Sequence, residues 1–196
     1  MIESILQLDR EITLWLNQLN VPELNPFWLV LSDARVWFPA YGLVMAALIW
    51  KLGWKRGTVS IAALILMVAV SDQLSTMIKY SVQRLRPCHD LWMVEHGVRA
   101  VYGEAGGFFG FFSSHASNCF GFAICSLLCF RLNDESRRRY GTYAAIVFSW
   151  ATMVALSRVM LAAHFVGDIL VGTVFGLLVG ALMALAARWI IVKAKL

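Results

Sequence analysis

Long apolar blocks separated by short polar segments dominate the pattern of this chain. Three blocks contain no Lys, Arg, Asp or Glu, and they cover Ala105–Phe130, Tyr140–Ser157 and Ile169–Ala187. A bilayer core about 30 Å thick is crossed by roughly 20 helical residues. We therefore predict a transmembrane helix for each block, because a soluble chain of 196 residues could not bury all three.

Two further blocks fit the same pattern less well. Val36–Trp50 is uncharged but has only 15 residues, and Thr58–Ile78 is long enough but carries Asp72. With these two, the sequence predicts an all-α fold, a polytopic membrane helix bundle of about five transmembrane helices. We expect Asp72 to be a buried carboxylate paired for stability, and a role as partner of a catalytic group is the alternative.

The N-terminal residues have a different pattern, in which charged and apolar positions alternate. Residues 1–20 are not a basic stretch followed by an apolar core, so no signal peptide is predicted. Their pattern is typical of an amphipathic helix at the membrane surface, and a short helix packed on the bundle is the alternative. We expect residues 1–196 to form one domain, with residues 1–30 as an interfacial segment.

Composition supports a membrane protein and excludes two kinds of site. Hydrophobic residues make up 60% of the chain and charged residues 15%, against about 45–50% and about 25% in soluble domains. Cys88 stands alone in a loop, while Cys119, Cys125 and Cys129 fall in one apolar block without a C-x-x-C spacing. Neither a zinc site nor a redox pair is therefore indicated.

The basic residues indicate membrane topology rather than a nucleic-acid partner, although the net charge is +5. Ten of the 17 basic residues lie between the first and second predicted spans, between the third and fourth, or after the fifth. These ten are Lys51, Lys55, Arg56, Arg131, Arg137, Arg138, Arg139, Arg188, Lys193 and Lys195. Five spans put these three places on one side, which we predict to be cytoplasmic together with the C-terminus.

Three polar clusters lie at the other ends of the predicted spans. They are Lys79 with Arg86-Pro87, Phe112-Ser113-Ser114-His115, and Ser157-Arg158 with His164 and Asp168. A lysine at the end of a span can simply reach the interface. Two guanidinium groups and an ammonium brought together would instead form an anion site, because the arginine fork matches phosphate oxygens.

The spacing of His164 and Asp168 puts both side chains on one face of a helix. A carboxylate there would fix the imidazole tautomer and stabilise its charged form. A purely structural pair is the alternative, and zinc is disfavoured because two ligands are too few and basic neighbours would repel it. His115 is either a core residue or a proton donor at the start of its span.

The order K-x6-R-P, S-x-H and S-R-x5-H-x3-D resembles the type 2 phosphatidate phosphatase superfamily, which includes bacterial acid phosphatases and vanadium haloperoxidases. The resemblance covers residues 79–168. It departs in the middle motif, which usually reads P-S-G-H and here reads Phe112-Ser113-Ser114-His115. Because serine keeps an amide donor, we expect the site to survive this change. The missing proline and glycine change the backbone options there, and a somewhat altered geometry with a slower enzyme is the alternative.

The resemblance implies a hydrolase of phosphoric esters or diphosphates that needs no metal or cofactor. It assigns phosphate binding to Lys79, Arg86, Ser113, Ser114 and Arg158. It further implies that His164 attacks phosphorus and forms a phosphohistidine, that Asp168 orients His164, and that His115 protonates the leaving oxygen.

The membrane setting predicts a lipid phosphate as substrate, with the bilayer as the other partner and no obligate protein partner. The resemblance to the family, and nothing else in the sequence, favours undecaprenyl diphosphate and phosphatidylglycerophosphate over phosphatidate and lipid A phosphates. A protein that binds or transports a phosphate lipid without turnover is the alternative. We expect a bacterial inner-membrane protein whose active site faces the periplasm or the exterior.

Overall fold

The computed structural model describes residues 2–101, 107–132 and 140–196. Within these ranges the chain is helical, without named strands and with one isolated bridge between Leu85 and Phe109. The helices there are α1 (Ile2–Gln18), α2 (Asn25–Ser32), α3 (Phe38–Leu52), α4 (Trp54–Val82), α5 (Leu91–Glu95), α6 (Ser114–Phe130), α7 (Gly141–Met160) and α8 (Val166–Lys193). The predicted all-α membrane bundle is confirmed.

Among the described helices, α4, α7 and α8 are long and apolar enough to cross a membrane. The helix α6 is apolar but has 17 residues, and α3 has 15. The third predicted span was placed too early, because α6 begins at Ser114 and not at Ala105. Residues 107–113 form a loop instead, since Ser113 is extended and its hydroxyl accepts a hydrogen bond from the Ala116 amide.

Close packing of α8 on α6 fixes the centre of the bundle. Glycines at 172, 176 and 180 form a stripe of small residues on α8, which lets helix backbones approach each other. A Cβ atom at Gly176 would lie 2.2 Å from the Ser117 carbonyl oxygen, and one at Gly172 would lie 2.5 Å from that of Ser113. The stripe therefore sets the N-terminus of α6 directly beside the first turns of α8.

The helix α1 packs on the bundle through its polar face. Asn17 is fully buried, and its amide nitrogen lies 3.0 Å from the carbonyl oxygens of both Val159 and Met160. One turn earlier, the hydroxyl of Thr13 accepts a hydrogen bond from the Val166 amide. The apolar residues Ile2, Ile5, Leu8 and Trp15 point outward and are exposed. Of the two alternatives for this segment, packing on the bundle matches these contacts.

The polar clusters share one end of the bundle. Lys79 lies near the end of α4, Ser114 begins α6, Arg158 lies in the last turn of α7, and His164 precedes α8. The start of α4 lies at the other end, where the Arg56 guanidinium donates a hydrogen bond to the Leu196 carbonyl oxygen. Arg137, Arg138 and Arg139, on which the orientation relies most, lie outside the described residues.

Cysteine labelling in intact cells tests the orientation in the membrane. In a variant whose four native cysteines are replaced, a probe cysteine at the exposed residue Glu95 should react with an impermeant maleimide. A probe cysteine at the exposed residue Lys195 should react only after lysis, because basic segments stay in the cytoplasm. The reverse pattern would place the polar clusters in the cytoplasm.

Candidate active site

Three cationic side chains converge where α4, α7 and the loop after α4 meet. Arg86 and Arg158 are 6% and 4% exposed. The guanidinium of Arg86 donates to the Ala163 carbonyl oxygen at 3.2 Å, and that of Arg158 donates to the hydroxyl of Ser32 in α2. The Lys79 ammonium donates to the Ser114 hydroxyl at 3.3 Å. These contacts hold the three positive groups in place.

Arg86 and Arg158 line a cavity of about 340 Å³, which we call the phosphate cavity. Its lining residues are Ser32, Asp33, Ala34, Arg35, Arg86, Ser114, His115, Arg158 and His164. Five of the eight sequence-predicted site residues therefore line one cavity. The other three, Lys79, Ser113 and Asp168, are not among the lining residues. Lys79 and Asp168 each contact a lining residue, Ser114 and His164 respectively, and the Ser113 amide donates to the Asp168 carbonyl oxygen.

Ser113 and Phe112 shape the backbone behind the cavity. Ser113 is fully buried, its hydroxyl caps α6, and its amide donates to the Asp168 carbonyl oxygen at 3.1 Å. Phe112, where the family motif usually has proline, is 1% exposed and packs on Phe175 of α8. Ser75 of α4 donates a hydrogen bond to the Phe112 carbonyl oxygen. This segment is thus fixed by packing and hydrogen bonds.

His164 and Asp168 form a buried pair. The distance from His164 Nδ1 to Asp168 Oδ2 is 3.6 Å, and the side chains are 1% and 0% exposed. This distance exceeds that of a hydrogen bond. Burial, together with the positive charges of Arg158, Arg86 and Lys79, holds the pKa of His164 well below its ordinary value. The imidazole is therefore neutral at neutral pH and keeps a lone pair available.

Arg84 is a site residue that the motif pattern did not identify. Its guanidinium donates to Asp168 Oδ1 at 2.8 Å and to Asp9 Oδ2 at 2.6 Å. Asp9 belongs to α1, and its other oxygen accepts a hydrogen bond from the Gly167 amide at 2.8 Å. The buried carboxylate of Asp168 is thereby tied to α1 through one arginine. Arg84 lies inside the unspecified x6 of the first motif, so only its charge could have marked it.

Gly110 is a second residue that the motifs did not mark. A Cβ atom at this position would lie 3.1 Å from Asp168 Oδ2 and 3.3 Å from Arg86 Cγ. Its amide donates to the Arg84 carbonyl oxygen at 2.8 Å. The loop before α6 therefore covers the His164–Asp168 pair so closely that a larger side chain would displace it.

A second, larger cavity adjoins the phosphate cavity. It has a volume of about 700 Å³ and lies between α3, α4 and α6, and we call it the apolar cleft. Ser32, Ala34, Ser114 and His115 line both cavities. Asp72 also lines the cleft and is exposed, so our expectation of a buried carboxylate was wrong. Its carboxylate accepts a hydrogen bond from the Asn118 amide at 2.8 Å.

The arrangement suits the binding and transfer of a tetrahedral oxyanion. Two arginine forks and the N-terminus of α6 face one cavity, and such groups bind phosphate-like anions. A neutral imidazole backed by a carboxylate stands in the wall of the same cavity, where it can act as a nucleophile. The apolar cleft next to it has room for a hydrocarbon chain.

Comparison with known proteins gives a family match and two similar proteins of the same name. The model of the PAP2 superfamily matches residues 60–191. The chain is 31% identical to lipid A 4'-phosphatase of Porphyromonas gingivalis, over 91% of this chain and 72% of that protein. It is 29% identical to lipid A 4'-phosphatase of Bacteroides thetaiotaomicron, over 90% of this chain and 75% of that protein.

Two solved structures share the fold. The PAP2-type phosphatidylglycerolphosphate phosphatase of Bacillus subtilis superposes with a TM-score of 0.70 at 20% identity, covering 95% of this chain and 88% of its own. Aquifex aeolicus LpxE superposes with a TM-score of 0.59 at 20% identity, covering 90% and 93%. At this identity the likeness concerns the arrangement of the helices.

Proposed function

Since the chain belongs to the PAP2 superfamily, we propose that its active site transfers the phosphate of a membrane lipid first to His164 and then to water. The chain is a lipid phosphatase and a phosphoric ester hydrolase. The observation that carries the mechanism is the buried His164 in the wall of a cavity that also holds two arginines. A neutral imidazole can form a bond to phosphorus, whereas a protonated one cannot.

In the proposed first step, His164 attacks phosphorus and the bond from phosphorus to the lipid oxygen breaks. Nδ1 of His164 faces Asp168, which leaves Nε2 for the attack. The carboxylate stabilises the positive charge that develops on the imidazole, and such contacts tighten when substrate binds. The negative charge of the bound phosphate stabilises the imidazolium form of His115, which lies in the wall of the same cavity. This imidazolium gives its proton to the leaving lipid oxygen and becomes neutral.

In the second step, water attacks the phosphohistidine and inorganic phosphate leaves. His115 takes the proton of this water, which restores its starting state, and His164 returns to the neutral form. Throughout, Arg86 and Arg158 hold the phosphate oxygens, with Lys79 acting beside Ser114. Phosphoryl transfer requires mainly alignment and neutralised negative charge, and these groups supply both.

Ser113 and Ser114 contribute through the N-terminus of α6. The first amides of a helix have no partner within it and point toward an anion. Ser114 lines the phosphate cavity, so we propose that its amide and hydroxyl contact the phosphate. Ser113 caps the helix from behind the wall, so we propose that it acts by fixing those amides.

For the substrate we propose a lipid A phosphate. Analogy with the family favoured undecaprenyl diphosphate and phosphatidylglycerophosphate, with phosphatidate and lipid A phosphates as further candidates. Two curated relatives that align with nine-tenths of this chain are lipid A 4'-phosphatases. Their similarity to this chain favours lipid A over the other candidate lipids. The apolar cleft beside the phosphate cavity would receive the first part of an acyl chain.

A phosphate-release assay on purified protein in mixed micelles tests both parts of the proposal. The panel contains lipid A, phosphatidylglycerophosphate and undecaprenyl diphosphate, each with and without EDTA. We expect the fastest release from lipid A, and unchanged rates in EDTA because the site is cationic. No group of three or more His, Cys, Asp or Glu side chains comes together in the described part of the chain.

Three outcomes of this assay would count against the proposal. Loss of activity in EDTA that a divalent ion restores would contradict the metal-independent mechanism. Faster release from another lipid would overturn the substrate assignment. Retained binding of all three lipids without any phosphate release would support the alternative of a binding or transport protein.

The link from Asp9 through Arg84 to Asp168 should affect turnover more than substrate binding. We expect Arg84→Met and Asp9→Asn to lower kcat by roughly 10- to 100-fold with little change in KM, since supporting contacts of active groups act at about this level. Arg84→Lys should recover part of the loss. The pH dependence of kcat/KM should also shift, because Asp168 would interact differently with His164.

Arg10→Gln is the matched control for these variants. Arg10 also lies on α1, and its ion pair at 2.9 Å is with Asp90, which is not part of the link from Asp9 to Asp168. It should keep wild-type kcat and the wild-type pH profile. If Arg10→Gln and Asp9→Asn lower activity equally, α1 contributes only general stability.

A further inference from the structure

The apolar cleft opens along the outer surface of the bundle. Phe38 of α3 and Ile65 and Val68 of α4 line it and are exposed. At its inner end it shares Ser114 and His115 with the phosphate cavity. A lipid whose phosphate occupies the phosphate cavity would therefore place the groups next to that phosphate in the inner part of the cleft.

Asp72 is the one formally charged residue that lines this cleft, among the described residues. It lies seven residues before Lys79 on α4, so it is about 10 Å further along the helix axis. Its partner Asn118 lies one turn after Ser114 on α6. Asp72 is therefore beyond the phosphate, at the depth where the acyl chains of a bound lipid begin.

The carboxylate of Asp72 is only partly occupied by protein groups. Its Oδ1 accepts the hydrogen bond from Asn118, and the described residues supply no second side-chain donor. A carboxylate in an apolar, membrane-embedded wall is costly unless it is hydrogen-bonded, and such residues commonly have a function. The Asp72 carboxylate can therefore accept a further hydrogen bond from a ligand that occupies the apolar cleft.

Membrane lipids differ in what they present at this depth. Phosphatidate has ester-linked chains, whose oxygens only accept hydrogen bonds. Lipids with amide-linked or hydroxylated chains, such as acylated amino sugars and ceramide 1-phosphate, have N–H and O–H donors. We propose that Asp72 accepts a hydrogen bond from such a donor and thereby selects lipids with amide-linked or hydroxylated chains. This inference rests on the proposed function and deepens it.

The alternative role for Asp72 is to balance the charge of Lys79, and the two roles predict different results. Charge balance acts on the phosphate, which every substrate has, so its loss would slow all substrates equally. Donor recognition acts only on lipids that have the donor, so its loss would change the ratio between substrates. A site built to bond a polar group discriminates strongly against substrates that lack it.

Ceramide 1-phosphate and phosphatidate of matched chain length give this ratio directly. We expect wild-type kcat/KM to be about tenfold to a hundredfold higher for ceramide 1-phosphate, the effect of one hydrogen bond to a charged group. In Asp72→Leu the ratio should fall to about one, and in Asp72→Asn it should be intermediate. Leucine is well tolerated in a membrane helix, so this variant should fold.

Val68→Ala is the matched control, because Val68 lines the same cleft one turn away on α4. It removes contact area without removing an acceptor, and it should leave the ratio at its wild-type value. A wild-type ratio in Asp72→Leu would overturn the inference, and so would an equal loss on both lipids. If the wild-type protein releases phosphate from lipid A but from neither of these two lipids, the inference fails and the proposed function stands. Release from none of the three lipids would remove the proposed function as well.

Discussion

His164→Ala is expected to reduce phosphate release by roughly 10⁴-fold or more, the scale seen when a catalytic nucleophile is removed. The proposed reaction has no path that avoids this side chain, since it carries the phosphate between the two steps. The side chain is 1% exposed, so the variant must also be checked for a monodisperse peak in detergent. The measurement is single-turnover phosphate release from the preferred lipid.

A His164→Ala protein that is folded and turns over within tenfold of wild type would remove the assignment of the nucleophile. The pH profile gives an independent check on the wild-type protein. Because the pKa of His164 lies well below its ordinary value, the neutral form persists below neutral pH. The acid limb of kcat/KM that this group causes should therefore lie below the ordinary range of histidine.

Arg158→Lys is expected to lower kcat/KM by roughly 10²- to 10³-fold, as for loss of one aligned donor to the transferring group. Lysine keeps the positive charge but lacks the planar fork of arginine, whose shape matches two oxygens of a phosphate. Arg158 is buried in the last turn of α7, and its guanidinium also bonds Ser32. Lysine at this position offers fewer hydrogen bonds than arginine. We therefore expect the phosphate to bind in a position less well aligned with His164.

Arg188→Lys is the matched control, because Arg188 lies in the last part of α8, at the other end of the bundle. It should keep wild-type kinetics. If Arg158→Lys also stays within twofold of wild type, geometry at this position is unimportant, and Arg158 would act only as a general positive charge.

The hydrophobic pattern of the sequence predicted three of the long helices of the bundle. The blocks for α4, α7 and α8 were located correctly, with ends that differ by a few residues. The start of α6 was missed because the apolar residues before Ser114 form a covering loop over the buried pair. Composition alone cannot separate an apolar loop inside a protein from an apolar helix in a membrane.

The sequence could predict those parts of the candidate site that lie within one short motif. The spacing of His164 and Asp168 predicted the pair but not its geometry. His164 precedes α8 and only Asp168 lies in its first turn, and the turn at the start of α8 brings the two side chains to 3.6 Å. The link between Asp9, Arg84 and Asp168 joins residues that are 75 and 84 positions apart. No periodicity in a single sequence indicates such a contact, so it required the folded structure.

The glycine stripe of α8 and the position of Asp72 were predicted only in part. The sequence shows the residues, but the folded structure is needed to show what they contact. Three glycines at intervals of four residues are visible in the sequence and are typical of close helix packing. Their partner helix, however, depends on the arrangement of the bundle. Asp72 was noticed as a charge within a span, but only the cleft shows that its side chain faces an open apolar space.

Trapping of the phosphorylated enzyme tests the central claim most directly. The protein is mixed with a lipid whose transferable phosphate carries ³²P, and the reaction is stopped in alkali, in which phosphohistidine survives. We predict label on the peptide that contains His164, stable to base and lost in acid, and none in His164→Ala. Normal phosphate release without any label on that peptide, or with stable label on another residue, would contradict the mechanism.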